Sequence, residues 1–434
     1  MGNASSFHHG RTRNEDCDAA RTRIVARGGE AFQYRGLRIA YLTDVEGQWS
    51  KLESFATGNP FVSLDAGGRL LVAPGARFVF GGDAIDRGPA SRRIVLALLE
   101  AKRRQPEQVV LLAGNRDINK MRLLTELSGL PPASMPDQVR SRGPAALLRW
   151  IFDNTMGAPH AFQHRADELE VSGSAHDDES VVHSFLDDLS PSGALTEYLC
   201  ACQLAHREQH TLFVHGDVTA ESLGYVPDAA RRFDDVAEWV SGLNAFYARQ
   251  CAAFRARESE GYSALVAYQA PVPGTRLNQA SVVYGRPTDE LGNPVLPPPE
   301  VVAALRNSGV ARVVLGHTPS GDCPALLRDD SGFELVLADN SHGRVESASQ
   351  ILLDDDPRFL GKSLLDSGEL VEILTRLRSA GSDSPLGLRD ARGRLVKARL
   401  ERGDYLAFRG LSGYRVEQSA LVESELARPF TLPR

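Results

Sequence analysis

The stretch that decides the fold is residues 77–120, which read RFVFGGDAIDRGPASRRIVLALLEAKRRQPEQVVLLAGNRDINK. Residues 78–80 and 109–112 are short apolar runs bounded by glycine, as is typical of buried parallel strands. Residues 91–104 between them have the apolar spacing of a helix and end in three basic side chains, which suit a helix C-terminus. The stretch therefore predicts a strand, a loop, a helix, a second strand and a second loop.

Polar side chains fill the two loops that follow these strands. The first loop is GDAIDRG (residues 82–88) and the second is GNRD (residues 114–117). Parallel strands deliver such loops to one edge of a sheet, where open α/β sheets bind their ligands. Carboxylates and an amide at this edge suit a hard metal ion, and the two arginines suit a phosphate.

Three more short blocks follow apolar runs elsewhere in the chain: DVEG (residues 44–47), VHG (214–216) and GHTP (316–319). In this order, the five blocks resemble those of the calcineurin-like metallophosphoesterase superfamily. GDAIDRG and GNRD are nearest to the GDxxDRG and GNHE blocks of its phosphoprotein phosphatase branch. The resemblance extends from residue 38 to about residue 343 and departs from the family at two positions. Glu46 replaces the histidine of the first block, and Arg116 replaces the histidine of GNHE.

The resemblance implies an α/β fold in which two mixed β-sheets pack as a sandwich flanked by helices. We expect a flexible N-terminal tail over residues 1–36 and a catalytic domain over residues 37–345. Residues 121–210 would form a helical insertion beside the site, since long insertions near a site are usually functional.

The sequence also predicts local structure in the C-terminal part of the chain. A short strand is expected over residues 281–286, a helix over 359–379, and strands over 395–400 and 405–415. Residues 346–434 then form either a small C-terminal α+β appendage or the closing strands of the second sheet, and the sequence leaves this choice open.

A set of metal ligands is implied by the resemblance: Asp44, Glu46, Asp83, Asn115, His215 and His317. They would hold two divalent metal ions, with Asp83 bridging the two. Manganese is the expected metal, with magnesium, iron and zinc as alternatives. A carboxylate at position 46 favours Mn²⁺ or Mg²⁺ over metals that prefer imidazole. The alternative is that Glu46 only accepts hydrogen bonds near a metal that other residues hold.

Arginines are the expected phosphate-binding groups. Arg87 and Arg116 would clamp the phosphate oxygens, because a planar guanidinium matches them two at a time, and Arg286 is a third, weaker candidate. Arginine cannot supply a proton to the leaving group at neutral pH. Either Asp86 or Asp117 supplies it, or no acid is needed, which would favour the acidic phenol of phosphotyrosine over serine.

The expected function is a metal-dependent phosphatase that hydrolyses phosphate monoesters through a hydroxide generated at the metals. Its substrate would be a phosphoprotein or a phosphorylated small molecule. Two alternatives stay open: a hydrolase of nucleotides or dinucleoside polyphosphates, and a non-catalytic metal-binding scaffold. The scaffold is suggested by the two missing histidines, whereas the full set of remaining ligands argues against it.

Composition and short motifs limit the cellular context. A formal net charge of −7 over 434 residues argues against a nucleic-acid partner. The five cysteines are scattered, and Cys200 and Cys202 lack the spacing of a redox pair, so they are expected to be buried helix residues. Without a signal peptide or membrane span, the cytoplasm is the expected location.

The first residues, MGNASS, fit the pattern for myristoylation of Gly2. The alternative is an unmodified terminus. Since a single acyl chain binds membranes only marginally, membrane association would need a second signal.

Overall fold

A computed structural model of the protein describes residues 24–25, 31–32, 36–258, 260–377, 384–411 and 415–434. The strands are β1 (Ile24–Val25), β2 (Ala31–Phe32), β3 (Ile39–Leu42), β4 (Val62–Leu64), β5 (Leu70–Val72), β6 (Arg77–Phe80), β7 (Val109–Leu111), β8 (Ala205–Glu208), β9 (Thr211–Val214), β10 (Arg312–Leu315), β11 (Ala325–Arg328), β12 (Glu334–Leu337), β13 (Gln350–Leu353), β14 (Arg358–Leu364), β15 (Leu370–Arg376), β16 (Leu395–Arg399), β17 (Tyr405–Gly410) and β18 (Val416–Leu421). Gly2 lies outside the described residues, as does most of the predicted tail.

The helices in the described residues fall into two groups. Some precede or follow the parallel strands in the chain, and the others lie between β7 and β8. They are α1 (Trp49–Ala56), α2 (Ser91–Arg104), α3 (Asn115–Asn119), α4 (Arg122–Leu127), α5 (Asp137–Arg140), α6 (Pro144–Asn154), α7 (Ala161–Val171), α8 (Asp178–Asp188), α9 (Ala194–Ala201), α10 (Val236–Arg255), α11 (Ser263–Tyr268) and α12 (Pro299–Asn307). Helices α4 to α9 occupy most of the predicted insertion. None of the described helices is both long enough and apolar enough to cross a membrane.

Two mixed sheets form the centre of the fold. The first has the strand order β15-β14-β13-β3-β6-β7 and the second has the order β11-β12-β10-β9-β8. Strands β3, β6 and β7 are parallel, as are β9, β10 and β12, while the remaining strands of both sheets pair antiparallel. The predicted pair of mixed sheets is confirmed.

The two sheets pack face to face across a shared apolar layer. Tyr41 of β3 stacks on Phe213 of β9 with ring centroids 5.6 Å apart, and Val79 and Val314 belong to the same buried cluster. The opposite faces of the central strands β3, β6, β9 and β10 pack under helices, so these strands are apolar on both faces rather than alternating. This arrangement is the helix-flanked sandwich that the sequence predicts.

The decisive stretch folds as predicted. Its helix α2 begins at Ser91 and ends at Arg104. Leu98 of α2 packs in one apolar cluster with Phe78 and Phe80 of β6. The stretch therefore holds its two polar loops at the same sheet edge through ordinary βαβ packing.

Two local predictions are wrong. Residues 359–379 were expected to be helical, but the described part of this range, residues 359–377, forms most of the hairpin β14–β15, in which Leu364 pairs with Leu370. The burial of β15 alternates with a period of two, which is the pattern of a strand. Residues 281–286, expected to be a strand, contain a turn at residues 282–284 and no strand.

The C-terminal part is built from strands in its described residues. β13 pairs antiparallel with β3, with Ile351 opposite Tyr41, so β13 to β15 extend the first sheet rather than the second. β16, β17 and β18 form a separate three-stranded sheet. After residue 345, the described helical structure is limited to the 3₁₀ turn Glu423–Glu425, so the expected helix of the α+β appendage is absent from this part. The division of the chain at residue 345 stays a prediction.

Candidate metal centre

The predicted metal ligands follow the carboxyl ends of five strands, and Asn115 is the one that follows β7. Asp44 comes after β3, Asp83 after β6, His215 after β9 and His317 after β10. The side chains of Asp83, His215 and His317 meet, because one ligand atom from each lies within 4.8 Å of the others. All three residues are buried. The parallel topology of each sheet thus converts positions far apart in sequence into one cluster.

The loops that carry these residues have unusual backbone conformations. Asp44, Asp83 and His317 have φ angles of 51°, 55° and 58°, a left-handed region that costs free energy for residues other than glycine. Backbone hydrogen bonds between the loops hold this shape, since Asp44 N donates to Gly82 O at 3.0 Å. Gly114 packs so tightly that any side chain there would collide with the Asp83 carboxylate.

His215 is oriented as a ligand. Its Nδ1 lies 2.8 Å from the carbonyl oxygen of Gly81 and can donate to it. Its Nε2 then faces Asn115 Oδ1 at 3.2 Å and Asp83 Oδ1 at 3.4 Å. A nitrogen lone pair, an amide oxygen and a carboxylate oxygen directed at one point are a donor set that fits a divalent metal ion.

The charges of this cluster are strongly coupled. Burial by itself would lower the pKa of His215, but the charge and hydrogen bond of Asp83 outweigh it and raise that pKa to about 10. The pKa of Asp83 is lowered: burial opposes the shift, and His215 and Arg116 overcome it. A proton on His215 therefore satisfies the pair, and a divalent cation would interact with the same atoms in its place.

His317 has a different environment. Burial and the positive charge of Arg286 lower its pKa, so the imidazole is neutral, as metal binding requires. Arg286 Nε donates to His317 Nε2 at 3.2 Å. Arg286 would have to turn away before this nitrogen could bind a metal. The Tyr284 ring lies next to His317, with centroids 5.1 Å apart.

Asp44 is buried next to the cluster formed by Asp83, His215 and His317. Thr43 Oγ1 donates to its carboxylate at 2.6 Å, and the backbone nitrogen of His317 lies 3.2 Å from the same oxygen. Burial and the neighbouring carboxylate of Asp339 raise the pKa of Asp44 well above its usual range. Asp339 is not recognisable from the sequence as a member of this site, because its position after β12 is explained equally well by turn chemistry.

Glu46 faces arginines instead of the histidines. Its Oε1 lies 2.7 Å from Arg116 Nε and its Oε2 lies 3.2 Å from Arg87 Nη1. Burial raises the pKa of Glu46 to about 7, although Arg116 counteracts this shift. Both carboxylate oxygens are used by guanidinium groups, which favours the alternative in which Glu46 accepts hydrogen bonds beside the metal.

Two of the three predicted phosphate-binding arginines contact the cluster, since Arg286 lies against His317 and Arg116 lies 3.6 Å from Asp83. Arg116 also lies 3.7 Å from Asp86. Arg87 reaches outward from Glu46, with Nη1 2.6 Å from His342 Nε2. Burial and the charge of Arg87 lower the pKa of His342 to about 4, so this imidazole is neutral near pH 7.

The two predicted proton donors are both engaged elsewhere. Asp117 accepts hydrogen bonds of 3.0 Å from the backbone nitrogens of Asp83, Ala84 and Gly114. Burial and the charge of Asp83 raise the pKa of Asp117 to about 7. These bonds fix the two loops relative to each other, so Asp117 positions the site.

Asp86 pairs with a lysine that the sequence analysis missed. Lys120 Nζ donates to Asp86 Oδ2 at 2.6 Å, and the lysine is completely buried. The sequence does contain a sign of this pairing. Lys120 follows Arg116 by four residues, so the two side chains lie on the same face of the helical turn that α3 forms.

Comparison with known proteins gives matches only at the level of structure. The sequence matches no protein-family model and no curated protein. The structure is similar to a cold-active protein-tyrosine phosphatase of a psychrophilic Shewanella species, with 16% identity and a TM-score of 0.43 over 78% of this chain and 81% of that one.

Two other solved structures are similar over a comparable length. A serine/threonine phosphatase from Saccharomyces cerevisiae has 14% identity and a TM-score of 0.38, covering 78% of this chain and 79% of that one. A metallophosphoesterase from Sphaerobacter thermophilus has 12% identity and a TM-score of 0.26, covering 73% and 83%. With scores this low, the likeness gives no information about the activity of this chain.

Proposed function

We propose that this protein is a metal-dependent phosphatase that hydrolyses phosphate monoesters on phosphoproteins, with a preference for phosphotyrosine. The observation that carries the proposal is the convergence of Asp83, His215 and His317 on one point beside two guanidinium groups, those of Arg116 and Arg286. Metal ligands next to phosphate-binding groups are what hydrolysis of a phosphate ester requires.

The chain's own residues would divide the work as follows. Asp83, Asn115, His215 and His317 would hold one divalent ion, and Asp44 with Asp83 would hold a second. Such ions lower the pKa of a bound water and stabilise negative charge on phosphate. Arg87 and Arg116 would orient the phosphate and neutralise its oxygens as charge shifts during the reaction. Glu46 would keep both guanidinium groups in place.

The preference for phosphotyrosine follows from the absence of a free acid among the predicted residues. Asp117 is occupied by three backbone groups, and Asp86 is held by Lys120. Arg116 stays charged at neutral pH. A leaving group that needs no proton, such as a phenolate, would therefore react faster than the alkoxide of serine.

Hydrolysis assays with purified full-length protein and Mn²⁺ test this function. The substrates are a phosphotyrosine peptide, a phosphoserine peptide and diadenosine tetraphosphate. Asp83→Asn should abolish peptide hydrolysis and weaken Mn²⁺ binding measured by calorimetry. Asp137→Asn is the matched control, because its side chain is 98% exposed on α5.

Other outcomes would each change the assignment. Hydrolysis of the dinucleotide alone would replace the protein phosphatase with a nucleotide hydrolase. Mn²⁺ binding without hydrolysis of any substrate would indicate a scaffold. Equal rates on the two peptides would contradict the preference for phosphotyrosine.

A further inference from the structure

Two cysteines far apart in sequence lie together where α9 packs on α10. Cys200 Sγ lies 3.7 Å from the carbonyl oxygen of Cys251, and Cys251 Sγ lies 3.8 Å from the carbonyl oxygen of Leu199. Tyr247, one turn before Cys251, donates to the same Leu199 oxygen at 2.8 Å. These bonds fix the relative position of the two helices at the thiols. This pairing is not apparent from the sequence, in which the cysteine next to Cys200 is Cys202 and Cys251 is distant.

The two thiols differ in the way that a reactive pair requires. Cys200 is half-buried, whereas Cys251 is almost fully buried. The neighbouring Cys251 side chain lowers the pKa of Cys200 to about 7, against the effect of burial. The Cys200 side chain and burial raise the pKa of Cys251 well above its usual range. Cys200 is thus the more accessible thiol and the one that ionises near neutral pH, which are the properties of a reactive cysteine.

We propose that Cys200 and Cys251 are a redox modification site, at which a hydroperoxide converts the two thiols to a reversible disulfide. The Cys200 thiolate would attack one peroxide oxygen, forming an S–O bond, breaking the O–O bond and releasing hydroxide, which is protonated to water in the case of hydrogen peroxide. The Cys251 sulfur would then attack the Cys200 sulfur, forming the S–S bond. The S–O bond breaks, and its oxygen leaves as water with the Cys251 proton. The thiols lose two electrons and the peroxide gains two.

A direct path connects this site to the candidate metal centre. Just beyond the last turn of α9, the backbone of Gln203 forms two hydrogen bonds at the end of β7. Its backbone nitrogen donates to Leu111 O at 2.9 Å, and its carbonyl oxygen accepts from Ala113 N at 3.0 Å. The next residues of that strand lead into Asn115. One turn before the end of α9, the Tyr198 hydroxyl lies 3.4 Å from Asp117 Oδ2.

Oxidation would therefore act on the loop that carries Asn115. A covalent bond brings the two sulfur atoms closer than any non-bonded contact allows, which pulls the end of α9 toward α10. Gln203 and Tyr198 move with α9, so the GNRD loop must adjust. We expect the disulfide to weaken Mn²⁺ binding about tenfold. The further expectation that it lowers hydrolysis by a similar factor rests on the proposed phosphatase function.

Mass mapping of the full-length protein tests the site itself. The protein is treated with hydrogen peroxide, free thiols are alkylated, and tryptic peptides are analysed with and without dithiothreitol. We expect a reducible link between the peptides that carry Cys200 and Cys251. No lysine or arginine separates Cys200 from Cys202, so Cys200→Ser identifies the sulfur: this variant should lose the link. Cys17→Ser, the control, should keep it. A missing link, or one that survives in Cys200→Ser, would overturn the proposal.

Two further measurements distinguish formation of the disulfide from its effect on Mn²⁺ binding and hydrolysis. Mn²⁺ titration of reduced and oxidised protein tests the coupling even if no substrate is ever hydrolysed. An unchanged Mn²⁺ affinity in fully disulfide-bonded protein would overturn it. Cys251→Ser should be insensitive to peroxide in both titration and hydrolysis. Should either serine variant unfold, as monitored by circular dichroism, the alanine variant replaces it, and the link in wild-type protein still decides whether the site exists.

Discussion

At the scale of single residues, Glu46 shows how one carboxylate can organise a site. The carboxylate lies between Arg87 and Arg116 and is almost inaccessible to solvent. A histidine at this position could not pair with two cations in this way, because imidazole is not an anion. Glu46 and Arg116 therefore belong together, since each supplies the partner of the other.

Glu46→Gln tests whether this residue positions arginines or binds metal. The neutral amide keeps the shape but loses the ion pairs, so the guanidinium groups lose their fixed orientation. We expect kcat/KM for a phosphotyrosine peptide to fall roughly 10-fold to 100-fold, with Mn²⁺ stoichiometry unchanged. Calorimetric titration and steady-state kinetics measure the two effects. Loss of a bound ion in this variant, but not in the exposed Glu53→Gln control, would instead identify Glu46 as a ligand.

The buried pair of Lys120 and Asp86 should matter for stability. Removing one partner of a buried ion pair leaves the other charge without compensation, which costs about 3–5 kcal/mol. We expect this loss in the free energy of unfolding of Lys120→Met, measured with urea. In the double variant with Asp86→Asn, the loss should be smaller than the sum of the two single losses.

A surface lysine provides the control for this cycle. Lys362 pairs with Glu372 while 42% of its side chain is exposed, so Lys362→Met should change the stability by less than about 1 kcal/mol. Additive effects of Lys120→Met and Asp86→Asn would show that the pair contributes no coupling energy.

At the scale of elements, the edge strand β8 carries a histidine that makes stability depend on pH. Burial, together with the positive charges of Arg77 and Lys102, lowers the pKa of His206 to about 4. Glu208 lies 3.4 Å from its ring but also pairs with Arg77. The unfolded chain therefore binds a proton near pH 6.5, where the folded protein does not.

The direction of the pH effect follows from this difference. As pH falls from about 6.5 to about 4, the unfolded state takes up the proton first, so the folded state loses up to roughly 3 kcal/mol of stability. Below that range the effect is constant. Urea titrations at pH 4.5 and 7.5 should show a smaller difference for His206→Gln than for the wild type. An identical difference in both proteins would mean that His206 titrates normally.

The sequence predicted helices and strands correctly where its apolar spacing fits only one of the two structures. It failed where the spacing fits both. The helix α2 was located correctly because its apolar spacing and basic last turn agree. The hairpin β14–β15 was mistaken for a helix because its sequence contains Leu at spacings that suit both structures. The partner strand β13 decides the outcome, and this partner is not visible in the local sequence.

At the scale of the whole molecule, the C-terminal strands complete the first sheet. β13 pairs with β3, the strand that leads to Asp44. A fragment of residues 37–345 would expose the edge of β3 and lose the apolar side chains of β13 to β15 from the layer between the sheets.

We therefore expect the 37–345 fragment not to unfold cooperatively. Thermal unfolding followed by near-ultraviolet circular dichroism measures this, with residues 36–434 as the control, because the described part of the tail pairs only within itself. A cooperative transition in the fragment would establish residue 345 as a true domain boundary.

The sequence by itself determined the βαβ unit of residues 77–120 and the position of its two polar loops at one edge of the sheet. It could do so because apolar strand runs and the polar residues that follow them are local patterns. Only the tertiary structure decided which side chains contact each other: Glu46 with two arginines, Lys120 with Asp86, and Cys200 with Cys251. These pairings depend on side-chain direction and on the packing of elements that are distant in sequence, and such distances are set only when the sheets and helices come together.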